Sequence, residues 1–384
     1  MKQTYAILGS GMQGTCAAYD LSKFAPDATI KLGDLSYDQA KKAADRVNGL
    51  LGTERCHPFQ VNAKSPLELA RFLEDAGTLL SCVPYYMHPA IARAAISSKT
   101  NMCDLGGNTE VTQETLGLDA LAKEAGVALV PDCGLAPGLV NSLGLFLMES
   151  MSHPESIRLY CGVLPQHPVP PFNYKLTFNV EGLVTEYDYQ ALVLRNGEIT
   201  EVDTLSELET LEVAPLGTLE AFTTSGGTST APYTFQGRLQ NYEYKTFRFP
   251  GHCERMRIFK DFGLWREDEI EIRGMKVRPK DVFCRVFGEA LGQIQDADQC
   301  VIRAIGEGSN DGEKVRTVVD IFDKEDPSTG FTSMERLTGF SLSIVAQAVA
   351  AGVVPTGVNR YETAMTGTAF VEELRRRGVS VLVS

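Results

Sequence analysis

Histidine is scarce in this chain, and positive charge is outnumbered. The five histidines stand apart from one another, and no C-x-x-C or H-E-x-x-H occurs in the 384 residues. Without ligands at such spacings, no metal site built by the protein is expected. Lysine and arginine number 36 against 49 acidic residues, a net charge of -13. That balance, with no basic stripe, excludes a nucleic-acid partner. No membrane span is expected either. The longest low-charge stretch, Phe340 to Val354, is shorter than the ~20 residues a spanning helix needs, and it carries Ser and Gln. No charged-then-apolar leader precedes the first strand, so no secretory signal is expected. The nine cysteines sit mostly in apolar runs, among them Cys16, Cys82, Cys103, Cys161 and Cys284. That spread reads as reduced thiols in a cytoplasmic protein rather than a disulfide framework. No internal repeat or low-complexity segment is visible.

What is present begins at once. Tyr5-Ala6-Ile7-Leu8 is a short apolar run followed by Gly9-Ser10-Gly11-Met12-Gln13-Gly14, a G-x-G-x-x-G. Ala17, Ala18, Leu21 and Phe24 then recur at helical spacing. Strand, glycine turn and helix is the context a dinucleotide fingerprint requires. Gly9 makes the tight turn, Gly11 lets a pyrophosphate approach the backbone, and Gly14 lets the helix lie close on the strand. The amides of the first helical turn, around Ser10, Met12 and Gln13, would hold the phosphates. A second strand, Thr29 to Leu32, runs into Gly33-Asp34. Asp34 falls about twenty residues past the last glycine, where a ribose-binding acid is expected. No arginine follows it directly, which favours NAD over NADP.

Further strands are expected at Cys56 to Val61, Thr78 to Val83, Met102 to Leu105 and Val127 to Val130, with helices between them. Six strands alternating with helices predict an α/β fold with a doubly wound, Rossmann-type parallel sheet. In such a sheet the carboxyl ends of the strands line the ligand crevice. Cys82, Val83, Pro84 and Tyr85 after one strand, and Gly106 and Gly107 after another, are therefore expected at the cofactor. Beyond the proline-rich Gln166 to Pro171 the pattern turns β-rich. Strands are expected at Leu176 to Val180, Ala191 to Leu194, Tyr242 to Phe249, Glu269 to Arg273, Cys300 to Ile305 and Val315 to Phe322. This reads as an α+β substrate and dimerisation domain with a largely antiparallel sheet. From Gly339 the pattern is helical again. The expected divisions are 1–136 for the NAD-binding domain, 137–338 for the second domain, and 339–384 for helices that return to the first.

Asp104-Leu105-Gly106-Gly107, Pro131-Asp132-Cys133-Gly134-Leu135-Ala136-Pro137-Gly138, Ser225-Gly226-Gly227-Thr228-Ser229, Tyr244-Lys245-Thr246 and Pro250-Gly251-His252 together resemble the saccharopine dehydrogenase (reductase)-like family. The similarity extends over nearly the whole chain, and the later motifs resemble its lysine-oxidising branch. That resemblance implies oxidative deamination of the ε-amine of L-lysine with NAD; the alternatives are a sister enzyme of the same family acting on saccharopine or a carboxylated polyamine, and a non-catalytic NAD-binding sensor. It also implies a homodimer or homotetramer built through the second domain. Such chemistry needs a neutral amine, a route for protons and a cation for the substrate carboxylate. The candidates for proton transfer are Asp104, Cys133, Lys245 and His252. Each has a plainer reading: a turn Asp, a buried thiol, a solvated strand lysine and a structural histidine. Tyr174, Thr228 and Tyr244 are candidate substrate contacts. Arg238, Arg248 and Arg255 are unranked candidates for the carboxylate clamp.

Overall fold

The structure, a computed structural model, describes residues 3–384. Its first half alternates strand and helix: β1 (Thr4–Leu8), α1 (Met12–Phe24), β2 (Thr29–Asp34), α2 (Tyr37–Leu51), β3 (Cys56–Gln60), α3 (Pro66–Leu73) and β4 (Thr78–Ser81). It continues with α4 (His88–Ser97), β5 (Asn101–Asp104), α5 (Thr109–Leu116), α6 (Asp119–Ala125) and β6 (Ala128–Val130). Local chemistry sets these boundaries. The Ser36 and Ser65 hydroxyls cap α2 and α3 by accepting from the amides of Gln39 and Glu68. Gly52, in the left-handed region, ends α2. Between β5 and β6 the chain forms two helices, α5 and α6, broken at Gly117-Leu118.

Helix α7 (Leu139–Glu149) leads into β7 (His153–Pro165) and a second lobe. There follow α8 (Val180–Asp188), β8 (Ala191–Arg195), β9 (Glu198–Val202), β10 (Glu209–Val213), β11 (Gly217–Thr223), α9 (Ala231–Phe235) and β12 (Asn241–Arg248). Next come α10 (His252–Asp261), β13 (Ile270–Ile272), β14 (Met275–Val277), α11 (Pro279–Gly292), β15 (Asp298–Asn310) and β16 (Glu313–Lys324). The chain ends with α12 (Ser333–Ala350), β17 (Gly357–Val358), α13 (Tyr361–Ala364), α14 (Gly367–Arg376) and β18 (Val381–Val383). The strand expected at Leu176 to Val180 is not formed. Asn179 instead caps α8, its side chain accepting from the Gly182 amide at 2.6 Å.

The first sheet is parallel, in the order β17-β6-β5-β4-β1-β2-β3. The order reverses between β1 and β4, and that switch point puts the glycine turn after β1 at the ligand crevice. The seventh strand is β17, a two-residue strip from the chain's last part that pairs with β6. The second sheet runs β10-β11-β12-β7-β15-β16-β18, with the β8–β9 hairpin attached to β12. It is antiparallel except where β12 meets β7. An aromatic cluster that includes Tyr174, Tyr187, Phe222, Phe283 and Phe287 holds α8, α10 and α11 together.

The two lobes are tied by the chain's last part. Helix α12 lies along α1 so closely that a Cβ on Gly339 would stand 3.0 Å from both the Ala17 amide and the Cys16 Cβ. Asp20 of α1 is fully buried and accepts two bonds from Arg377 Nε, at 3.0 and 2.9 Å, and one from Ser343 Oγ. A buried charge pair of this kind holds only while both partners remain.

Candidate active site

The glycine turn has the stereochemistry of a phosphate cradle. Gly9 has φ +96°, and a Cβ there would meet the Cys82 carbonyl at 2.7 Å. A Cβ on Gly14 would overlap the Gly9 carbonyl oxygen, so helix and turn touch. Gly11 is different, because a Cβ there meets nothing within 4 Å. The space beside Gly11 is open, and α1 starts next to it with no side-chain cap on its amides. Uncapped amides facing open space are what a bound pyrophosphate requires. Gln13 Oε1 is buried with no partner among the described residues, a polar atom left for a ligand to satisfy. These residues fit a dinucleotide.

Asp34 is bonded to the turn on both oxygens. Ser10 donates through its amide and its hydroxyl to Oδ2, each at 2.9 Å, and the Ser36 amide donates to Oδ1 at 3.0 Å. Two of the cations on α2 are engaged elsewhere. Lys41 pairs with Asp45 at 2.6 Å on the surface, and Arg46 donates to the carbonyls of Thr329 and Gly330. Cys82, Val83, Pro84 and Tyr85 follow β4, and the Tyr85 ring packs on Gly107, whose own φ is +126°.

Behind this turn lies a buried pair of carboxyls. Asp104 ends β5, and its Oδ1 accepts from the Gly106 amide at 2.8 Å and the Asp132 amide at 3.2 Å. That is the geometry of a turn-capping aspartate. His88 Nε2 lies 3.9 Å from the same oxygen, and His88 Nδ1 lies 3.1 Å from Ser81 Oγ. Asp132, just past β6, is 2% exposed and has φ +65°. Its Oδ1 accepts from Thr112 Oγ1 at 3.1 Å, and its Oδ2 accepts from Ser229 Oγ. A Cβ on Gly106 would overlap Asp132 Oδ1, so the D-L-G-G motif makes room for this carboxylate. Burial, then the charge of Asp104, pushes the Asp132 carboxyl up to about 7. Sequence reasoning did not single out Asp132. Its position at a strand end in P-D-x-G-x-A-P-G was the available signal.

The proposed proton carriers are not gathered at one point. Cys133 is buried, its thiol donates to the Val130 carbonyl at 3.2 Å, and burial above all pushes it well above the usual thiol range. It is held as a neutral thiol. Lys245 faces away from the cleft. It lies on β12 between Tyr244 and Thr246, so its side chain leaves the opposite face of the sheet. There Nζ donates to the Glu207 carbonyl and to Glu209, each at 2.9 Å. His252 is buried in the aromatic cluster, with Nε2 3.1 Å from Tyr187 Oη. Burial, then the charge of Arg248, holds its pKa well below the usual histidine value. The Tyr187 hydroxyl also accepts from Arg248 Nε at 3.1 Å, so its proton points to His252. His252 thus positions Arg248 through Tyr187.

The candidate substrate contacts divide in a similar way. Thr228 donates to the Leu192 carbonyl at 2.7 Å and lines a cleft of about 540 Å3 with Gly107, Asn108 and Tyr189. That volume suits a small ligand and part of a cofactor. The S-G-G-T-S turn meets a group of the protein's own, the Asp132 carboxyl, to which Ser229 Oγ donates. The Tyr244 ring lies under Gly227, where any Cβ would collide with it. Tyr174 is buried beneath Arg248, the guanidinium 5.0 Å from the ring centre. Tyr244, Thr246 and Arg248 share one face of β12 and line a second cavity of about 50 Å3 with Leu135, Ala136 and Glu186. Of the three candidate arginines, Arg248 lines this cavity. Arg238 rests on Phe235 and Arg255 lies against Gly251.

Fold and site together define a two-domain protein of the dinucleotide-binding Rossmann class, with its cleft between a glycine-rich lobe and a sheet-rich one. Residues 5–130 match the family described as Saccharopine dehydrogenase NADP binding domain, and residues 134–379 match Saccharopine dehydrogenase C-terminal domain. The chain belongs to the saccharopine dehydrogenase family. It is 24% identical over 302 residues to the mitochondrial alpha-aminoadipic semialdehyde synthase of Mus musculus, covering 75% of this chain and 31% of that protein. It is 21% identical over 260 residues to saccharopine dehydrogenase [NADP(+), L-glutamate-forming] of Pyricularia oryzae, covering 65% of this chain and 57% of that one. The chain thus spans about a third of the mouse protein's length and just over half of the fungal one's. Its fold is that of the apo saccharopine dehydrogenase (L-Glu forming) of Saccharomyces cerevisiae, with a TM-score of 0.80 at 17% identity, covering 100% of this chain and 99% of that one.

Proposed function

We propose that the protein is an NAD-dependent lysine 6-dehydrogenase, which oxidatively deaminates the ε-amine of L-lysine. Family membership and the open cradle at Gly11 support an oxidoreductase reading. The observation that carries the choice of substrate is the single guanidinium, Arg248, lining the small cavity. Lysine brings one carboxylate to be clamped, whereas saccharopine brings more than one. NAD is favoured because the end of β2 offers the Asp34 carboxylate with no arginine directly after it, while Lys41 and Arg46 are engaged elsewhere.

Gly9 to Gly14, with the residues after β4 and β5, would hold the cofactor, and its nicotinamide supplies a hydride acceptor. As hydride leaves Cε, the nitrogen lone pair forms the C=N bond and an N–H proton is lost. Water adds to that imine, ammonia leaves, and the α-amine condenses with the aldehyde to give tetrahydropyridine-2-carboxylate. Arg248, steadied by Tyr187 and His252, binds the carboxylate. Asp132 joins the Ser225–Ser229 turn to α5 through Ser229 and Thr112, and holds a proton near neutral pH.

The test is NADH absorbance on adding lysine and NAD, with ammonia measured in parallel. We expect equal amounts of both. NADH formed with saccharopine but not with lysine would overturn the substrate, and preference for NADP would overturn the cofactor reading.

A further inference from the structure

Two charged groups in the small cavity have unmet bonding capacity. Arg248 is 4% exposed. Its Nε is taken by Tyr187 and its Nη1 by the Phe247 carbonyl at 2.9 Å. Its Nη2 has one charged neighbour, Glu186 Oε2, and that lies 3.9 Å away, beyond hydrogen-bond reach. The Glu186 carboxylate accepts no hydrogen bond from the described residues. It keeps a third of its side-chain surface open, yet burial pushes its pKa up to about 7, with Arg248 opposing. A guanidinium and a carboxylate this far apart do not complete each other's hydrogen bonding. Its main chain is fixed, however. The Glu186 carbonyl accepts from the Ser225 amide at 2.9 Å, which joins α8 to the turn that binds Asp132. The cavity that Glu186 and Arg248 both line is about 50 Å3, with Leu135 and Ala136 among its other walls.

We infer that Glu186 and Arg248 form a zwitterion clamp for an α-amino-acid head group, Arg248 taking the carboxylate and Glu186 the α-ammonium. This rests on the lysine reading above and sharpens it. The clamp selects L-amino acids that carry both charges on one carbon, and it leaves the far amine to reach the cofactor cleft. A carboxylate beside the α-amine also keeps that amine protonated, so it does not compete with the ε-amine for oxidation.

The test compares lysine with two analogues that each lack half of the head group, 6-aminohexanoate and 1,5-diaminopentane. Wild type should prefer lysine to either by ~10- to 100-fold in kcat/KM, the usual worth of a charge-assisted hydrogen bond. Glu186→Gln should lose that factor for lysine, mainly in KM, while 6-aminohexanoate changes by less than about twofold, so that the preference collapses. NADH binding and melting temperature check that the variant is folded. Calorimetric titration of lysine and 6-aminohexanoate reads the same preference without turnover. An equal loss on both substrates, or a preference that survives the substitution, overturns the clamp and leaves the reaction standing. Lysine bound through Glu186 but never oxidised overturns the reaction and leaves the clamp. Failure of the wild type to bind lysine overturns both.

Discussion

Replacing Asp132 by asparagine should stabilise the protein, and only in one range of pH. In the native state this carboxyl titrates at about 7, against an ordinary value of 3.8. Between those values the unfolded chain has released a proton that the folded protein still holds. Native stability therefore falls as pH rises from about 4 to about 7, and the penalty is constant above that. Three units at about 1.36 kcal/mol each give about 4 kcal/mol at the alkaline end. Asparagine has no charge to bury. It can accept from one of the Thr112 and Ser229 hydroxyls and donate to the other, so most of the packing survives. With unfolding entropy near 2.1 cal/mol/K per residue, the gain corresponds to roughly 5 °C in melting temperature. The assay is thermal unfolding of wild type and Asp132→Asn at intervals from pH 4 to 8.5. The two should melt together at pH 4 and diverge steadily towards pH 7, the variant being the more stable. Turnover should fall in the same variant, because Ser229 loses its carboxyl partner. A melting difference that does not vary with pH would refute the reasoning, since the carboxyl would then be ionised as usual inside the fold.

Two adjacent glycines should respond in opposite ways. Gly11→Ala places its methyl in open space, so it should cost under ~1 kcal/mol of stability while weakening NADH binding at least ~10-fold by calorimetry. Gly14→Ala pushes a methyl into the Gly9 carbonyl and should cost ~1–3 kcal/mol or more in denaturant titrations, whether or not cofactor is present. Lys245→Met should leave kcat within about twofold in the NADH assay and lower stability by ~1–2 kcal/mol, because the ion pair with Glu209 and the bond to the Glu207 carbonyl are lost. A large fall in kcat would put Lys245 back in the reaction.

The parallel sheet was legible because its signals are local. A strand, a glycine turn and an amphipathic helix can each be read within a dozen residues. Strand β7 carries no such signal. From Leu159 to Pro165 every residue is buried, so no polar alternation marks it. The Leu176 to Val180 run does alternate, but Asn179 spends its side chain on capping a helix. Strand β17 is two residues long and exists only because β6 has a free edge. The site was harder for a similar reason. Asp132 acquires its character from burial and from Asp104, 28 residues away, and it meets Ser229 a further 97 residues along the chain. Lys245 and Thr246 differ by one position, and only the pairing of β12 with β7 and β11 decides which of them faces the cleft.

The last part of the chain laces both lobes together. Residues Gly357–Val358 extend the glycine-rich lobe's sheet, and Val381–Val383 extend the other sheet by pairing with β16. Between these two stitches, Arg377 reaches back to Asp20. Opening of the crevice for substrate entry must therefore flex this lacing as well as the crossing at α7. A deletion after residue 356 would leave two raw sheet edges and an orphaned acid at once, inviting strand exchange between molecules and not merely a shorter protein.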